Sequence, residues 1–187
     1  MMLISLLVLV SFMILTAIAL ERAVDKRMRK AEKEKLEAQM YSILAAVDRD
    51  TSGRSITVSD ARLFVTALFD VDSGLHALLY DSEGEIWRSL STLDSFPLPL
   101  GLAAEELRFD QFSFNQRDWF QLAFSIQWPN LHDQLIPYQL VLWKNAEDYF
   151  KQINRFRQTL WLWLLATLVL LMFLLWLVMQ WGLRPLL

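Results

Sequence analysis

Carboxylates are the side chains of this chain best suited to binding chemistry. Between residues 48 and 148 the sequence has sixteen acidic residues and seven basic ones, a balance of −9. Such a surplus raises the local concentration of cations or cationic peptides. The candidate cation-binding residues lie beside one predicted turn and in the two adjacent acidic pairs of this region: Glu83, Glu85, Glu105, Glu106, Glu147 and Asp148. The metal ligands, if a metal binds, are not defined by this pattern.

Catalytic motifs are absent from the sequence. There is no cysteine, and therefore no thiol nucleophile or cysteine-based metal site. The histidines, His76 and His132, are not followed by the Glu/Asp-x-x-Lys/Asn-Pro pattern of a phospho-accepting helix. We interpret both as structural or surface residues, with pH sensing as the alternative. No phosphate-binding Gly-rich loop is present, so enzymatic activity in this chain is uncertain. We expect no cofactor in this chain and no nucleic-acid partner.

Two uncharged stretches flank the part of the chain that carries these residues, and each is predicted to be a membrane-spanning helix. Thr159–Trp181 has no Asp, Glu, Lys or Arg, and Met1–Leu20 is a second such run. Each is about as long as a helix that crosses a bilayer, and only a helix satisfies its own backbone there. Ala17-Ile18-Ala19 matches a signal-peptidase site, so a cleaved signal peptide is the alternative for the first run. The lack of a basic start favours an uncleaved helix.

The helix predicted after the first run is amphipathic. Glu21–Val47 has no Pro or Gly, and apolar residues recur in it at spacings of three and four. These residues are Val24, Met28, Ala31, Leu36, Met40, Ile43, Leu44 and Val47. The stripe either packs on the domain's own sheet or forms a helix-to-helix dimer seam. Both interpretations remain open at this point.

The middle of the chain reads as four or five mostly antiparallel strands. The predicted elements are a strand Ile56–Val58, a short helix Ala61–Phe69, a hairpin of His76–Asp81 and Glu85–Ser89, strands Leu107–Phe114, Phe120–Trp128 and Tyr138–Trp143, and a helix Ala146–Phe156. Asp48–Gly53 is a predicted turn, and Leu93–Leu100 and Pro129–Pro137 are predicted loops. The alternation in Phe120–Trp128 predicts a half-buried strand. The many aromatic residues are interpreted as core, with a ligand groove or headgroup contacts as the alternative.

The fold class is therefore α+β, with a mostly antiparallel sheet flanked by long helices and placed between two transmembrane helices. Both termini are expected on one side of the membrane and the domain on the other. Basic residues cluster next to both membrane segments, where they suit lipid headgroups, so membrane lipids are expected partners. Charge does not decide the orientation, because long domains translocate largely regardless of it.

Four stretches resemble the input half of PhoQ-type bacterial sensor histidine kinases. They are Tyr41–Leu44 on the helix into the domain, Leu79–Trp87 in the predicted hairpin, Leu140–Leu142 with the helix Glu147–Arg157 after it, and Trp176–Leu186. In the last stretch Trp176, Trp181, Leu183, Arg184 and Pro185 are similar to the end of the family's second membrane helix and the start of its HAMP linker.

The resemblance implies four parts: a transmembrane helix at 1–20, a periplasmic PAS-like (PDC) sensor domain at 21–157, a second transmembrane helix at 158–181, and the truncated start of a HAMP linker at 182–187. It also implies a multi-pass homodimer in the bacterial inner membrane and a two-component kinase past Leu187 that uses ATP and a cognate response regulator. With the −9 balance, it suggests Mg²⁺ or Ca²⁺ sensing. The family's dense acidic run is missing here, and Thr167 stands where the family has a polar amide.

We therefore expect a sensory and transmembrane signalling module that detects divalent cations, cationic peptides or pH. The expected signalling path contains Tyr41, Thr167, Arg184 and Pro185. Thr167 is either a tolerated hydroxyl bonded to its own helix or a hydrated polar site. The alternatives are the input module of a chemoreceptor or cyclase, and a structural bitopic assembly protein of the inner membrane.

Overall fold

Two long helices and seven strands make up most of the described chain. The computed structural model describes residues 2–49, 56–92, 96–99, 102–129 and 135–182. The helices are α1, Met2–Ala45, and α2, Glu147–Gly182. The strands are β1, Val47–Arg49; β2, Ile56–Val58; β3, Leu75–Tyr80; β4, Glu85–Arg88; β5, Leu107–Phe114; β6, Arg117–Pro129; and β7, Leu135–Asn145.

Both helices are long and apolar enough to span a membrane. α1 is uninterrupted because it contains no Pro or Gly, so the first apolar run and the predicted amphipathic helix form one element. α2 begins where the side-chain oxygen of Asn145 accepts a bond from the Glu147 N–H (2.8 Å). Almost none of the apolar stretch of either helix is buried. Such exposure distinguishes them from the core helices of a soluble protein, since side chains such as Leu15 and Leu162 are both 67% exposed.

The chain divides into two compact units. One contains the described parts of Met1–Arg29 and Tyr149–Leu187, and we call it the helical unit. The other, Lys30–Asp148, contains every described strand, and we call it the sheet unit. α1 and α2 each contribute residues to both units.

The main sheet has five strands in the order β4-β3-β7-β6-β5, and every neighbouring pair is antiparallel. β1 and β2 form a separate antiparallel pair. The α+β class with a mostly antiparallel sheet and long helices is thus confirmed. The hairpin of β3 and β4 and the bounds Leu107–Phe114 are also as predicted. The last strand, β7, lies at the centre of the sheet.

Two local predictions are wrong. The loop Pro129–Pro137 is too long, because β6 continues to Pro129 and β7 starts at Leu135. Pro137 is tolerated because β3 pairs only with residues 139–144, so β7 has a single neighbour at Pro137. The helix Ala61–Phe69 is instead two short 3-10 turns, Asp60–Arg62 and Thr66–Phe69. Of the predicted turn Asp48–Gly53, the first two residues belong to β1, and the other four lie outside the described residues, so this prediction remains untested there.

α1 covers one face of the sheet within the sheet unit. Leu36, Met40 and Ile43, spaced by four and three residues, are completely buried. Glu32 on the same helix forms an ion pair with Lys144, which lies on the same face of β7 as Leu142 and Leu140. This part of the apolar stripe therefore packs on the domain's own sheet. Each such side chain contributes roughly 1.5–3 kcal/mol by leaving water.

The opposite face of the sheet is also covered along the middle of β6, so residues 121–125 are not half-buried as predicted, whereas Gln127 is exposed as the alternation predicts. Gln121, Ala123 and Ser125 have at most 7% of their surface exposed, and Phe120 and Leu122, which alternate with them, are completely buried. Phe96 packs over this face against Trp119 and Trp143. The polar positions of β6 are buried because residues distant in sequence cover them.

Candidate functional site: the hairpin cavity

A cavity of about 480 Å³ lies beside the turn that joins β3 to β4, and we call it the hairpin cavity. It contains two of the predicted site residues, Glu83 and Glu85. Its other lining residues come from the β3–β4 hairpin, the segment after it and the central strand: Leu78, Tyr80, Asp81, Ser82, Gly84, Arg88, Thr92, Phe96, Leu98 and Trp143. Its volume lies within the range of small-molecule sites.

The turn at the mouth of the cavity is fixed by Asp81. Its carboxylate accepts bonds from the backbone N–H groups of Glu83 (2.7 Å) and Gly84 (3.0 Å). The Asp81 N–H in turn donates to the Gly84 carbonyl (2.9 Å). Gly84 has a φ of +145°, which only glycine adopts readily. This local chemistry leaves the Glu83 side chain exposed at the mouth.

The mouth carries a net negative charge. Glu85 is neutralised by Arg88, whose Nε lies 3.0 Å from the carboxylate. Among the salt bridges of the described residues, none involves Asp81 or Glu83. Burial raises the pKa of Tyr138, and the negative charges of Asp81 and Glu83 raise that pKa further. The hairpin thus presents two carboxylates without a cationic partner in the described chain.

The floor of the cavity lies on the aromatic core, in which Trp143 is 1% and Phe96 8% exposed. Trp143 and Phe96 stack with ring centroids 4.9 Å apart and planes inclined by 18°. Tyr80 points its ring at the same space and donates its hydroxyl proton to Gln139, and burial raises its pKa. His76 packs against Phe96 and Trp119 in the adjoining core, while His132 lies outside the described residues. An apolar floor under an acidic mouth suits an amphipathic ligand.

The remaining predicted carboxylates do not converge on this cavity. Glu105 and Glu106 lie next to the start of β5, at the other edge of the sheet, about 19 Å away at the usual strand spacing. Glu147 and Asp148 occupy the first turn of α2, after the far end of β7. Among the described residues, no group of three His, Asp or Glu side chains is placed to hold a metal ion.

Glu106 is held by hydrogen bonds from residues near it in the sequence. Its carboxylate accepts a bond from the Ala103 N–H (2.8 Å) and is held by the Arg108 guanidinium (2.7 Å). The backbone bond from Ala103, followed by the bond from Arg108, lowers the pKa of Glu106. These contacts order the chain before β5.

The signalling residues lie in different places. Tyr41 is on α1 with 59% of its surface exposed. The Thr167 hydroxyl donates to the Trp163 carbonyl of its own helix (2.8 Å), the geometry of a tolerated hydroxyl. Arg184 and Pro185 lie outside the described residues.

Contacts within the helical unit were not predicted from sequence. The Tyr149 hydroxyl donates to Asp25 (2.7 Å), and Arg157 Nε donates to Glu21 (2.6 Å). The contact that lies further along α2, at Arg157, is made to the earlier residue of α1, Glu21, so the two helices run antiparallel here. Met13 and Leu164 line a shared apolar groove further along. The only sequence signal was the presence of opposite charges flanking both apolar runs.

Comparison of the chain with protein-family models, curated proteins and solved structures gives no match, so no relative assigns a role to these residues.

Proposed function

We propose that this chain is the sensory and transmembrane signalling module of a PhoQ-like two-component sensor histidine kinase. In this proposal the sheet unit is a periplasmic PAS-like (PDC) sensor domain, and the helical unit crosses the bacterial inner membrane. The module works as a homodimer and passes its state to a cytoplasmic kinase that uses ATP and a response regulator.

The observation that carries the proposal is the arrangement of the two helices. α1 and α2 each contain a membrane-length apolar stretch, and each contributes residues to a sheet domain between them. In the helical unit they form an antiparallel pair held by Asp25–Tyr149 and Glu21–Arg157. A five-stranded antiparallel sheet with a long helix on one face is also what the PAS-like resemblance leads one to expect.

Signal transfer would start in the sheet unit. Lys144 on the central strand pairs with Glu32 on α1, and Ala146 is the single residue between β7 and α2. A ligand that favours one arrangement of the sheet would therefore bias both helices, and a shift between two packings is sufficient to switch a linker such as HAMP. Thr167, Arg184 and Pro185 lie on the proposed path.

The test has two parts. The open reading frame after Leu187 is expected to encode a histidine-containing helix pair and an ATP-binding domain, and membranes with the whole protein are expected to autophosphorylate on histidine. If the reading frame instead encodes a methyl-accepting or cyclase domain, the chain would be the input module of a chemoreceptor or a cyclase and not of a kinase. A stop codon soon after Leu187 would favour a structural bitopic protein and overturn the proposal.

A further inference from the structure

We propose that the hairpin cavity binds a small organic monocation that carries a hydrophobic group, such as an arylalkylammonium ion. This inference names the ligand class of the site described above and rests on the proposed sensory function. It differs from the divalent cations and cationic peptides expected from the sequence.

The charge at the mouth selects for a cation of low valence. Three carboxylates lie there. Glu85 is paired with Arg88, and one carboxylate oxygen of Asp81 already accepts hydrogen bonds from two backbone N–H groups. Glu83 is left with its full negative charge at an exposed position. A Ca²⁺ ion takes six to eight oxygen ligands, and the two carboxylates without a cationic partner would supply only a minority of them, leaving the rest to water. An ammonium group needs only one or two carboxylates within reach.

The floor selects for an apolar group on the same ligand. Among the residues that line it, Tyr80 supplies half-buried aromatic surface and Leu98, 46% exposed, supplies aliphatic surface, whereas Leu78, Phe96 and Trp143 have at most 8% of their surface exposed. A hydrated metal ion or a plain ammonium ion would leave this surface uncovered. A ring or alkyl chain would remove it from water, and aromatic rings also attract an organic cation directly.

The dimensions agree with one small molecule. A cavity of about 480 Å³ lies near the lower end of the range for small-ligand pockets. A peptide side chain alone would occupy only part of it. The ligand would therefore lie with its apolar end against Tyr80 and Leu98 and its ammonium group between Asp81 and Glu83.

The experiment is calorimetric titration of the full chain in lipid nanodiscs, with empty nanodiscs as the blank. The probe is 2-phenylethylammonium chloride, and 2-phenylethanol is the neutral analogue of nearly equal shape. We expect saturable binding of the cation and about tenfold weaker binding of the alcohol. Magnesium chloride is a third arm and is not expected to compete at millimolar concentration.

Two charge variants locate the site. Glu83→Gln is expected to weaken binding of the cation about threefold to fivefold, the effect of one exposed charge pair. Glu105→Gln, on the other edge of the sheet, is the matched control and should leave binding unchanged. Asp81→Asn combined with Glu83→Gln should weaken it further, because asparagine retains an oxygen for the turn bonds.

Equal binding of the alcohol, equal effects of the two single variants, or no binding would each overturn the inference. Competition by Mg²⁺ that is lost in Glu83→Gln would replace it with a divalent-cation site. None of these outcomes depends on a kinase, so they leave the reading-frame and autophosphorylation tests of the proposed function unaffected.

Discussion

Individual carboxylates in this protein are distinguished by what they contact. Asp81 holds a turn, Glu85 neutralises Arg88, and Glu106 holds the backbone before β5. Glu83 alone of the candidates at the cavity mouth is exposed without a cation beside it in the described chain. The sequence marked Glu83, Glu85 and Glu106 equally and did not mark Asp81, because charge is visible in a sequence and hydrogen-bond partners are not.

At this scale, Glu106 predicts a specific pH dependence. Its pKa is lowered in the folded protein, first by the Ala103 N–H and then by Arg108. Its contribution to stability is therefore present above its unfolded pKa and is lost as the pH falls through the lower folded value. We expect Glu106→Gln to lower the melting temperature at pH 6 and to have a smaller effect at pH 3.

The measurement is thermal unfolding of the solubilised chain followed by near-ultraviolet circular dichroism. Glu105→Gln is the control at the adjacent exposed position. A melting difference between wild type and Glu106→Gln that is as large at pH 3 as at pH 6 would contradict this assignment.

At the scale of elements, α1 acts as the cover of one sheet face. Met40 is completely buried, whereas its neighbour Tyr41 is 59% exposed. Met40→Ala removes packed methylene and sulfur atoms and leaves a cavity, so we expect a loss of about 2–5 kcal/mol in the free energy of unfolding. Tyr41→Ala should change it by about 0.5 kcal/mol or less.

Urea unfolding followed by tryptophan fluorescence gives both values. The control is that the protein is monomeric during the measurement. Under that condition, a free energy of unfolding of Met40→Ala equal to that of wild type would show that the apolar stripe of α1 does not pack on the sheet.

The antiparallel pairing of α1 and α2 is testable because the chain has no cysteine. Met13→Cys with Leu164→Cys places two thiols on one groove, whereas Phe12 and Leu162 are 69% and 67% exposed. In native membranes, a short bismaleimide of about 8 Å should link the first pair within one chain, and link Phe12→Cys with Leu162→Cys several-fold less.

Mass spectrometry of the linked peptides distinguishes links within a chain from those between chains. Preferential linking of the exposed pair within one chain would show that the helices face each other through different sides.

At the scale of the whole molecule, α1 and α2 are each long and apolar enough to span a membrane. Signal-peptidase cleavage after Ala19 would cut α1 and remove Ala17, which is 3% exposed. We expect the mature protein to retain residues 2–19 as part of α1 and to stay in the membrane pellet after carbonate washing. N-terminal sequencing and the wash give the result; a mature start at Leu20 would leave α2 as the single anchor.

The sequence by itself determined the parts that depend on neighbouring residues. An uncharged run of about 20 residues, a stripe at spacings of three and four, and a turn around Gly84 each predicted a helix or hairpin that the structure contains. These patterns arise from backbone geometry, which acts over a few residues. The same local logic identified Glu83 and Glu85 as neighbours at one turn.

Only the tertiary structure decided which distant residues meet. Trp143 reaches the hairpin cavity because β7 inserts beside β3, more than 50 residues earlier in the chain. The buried polar face of β6 and the acceptance of Pro137 likewise depend on what covers or pairs with a strand. Strand order and side-chain packing are set by the sum of contacts across the whole domain, and no short stretch of sequence encodes that sum.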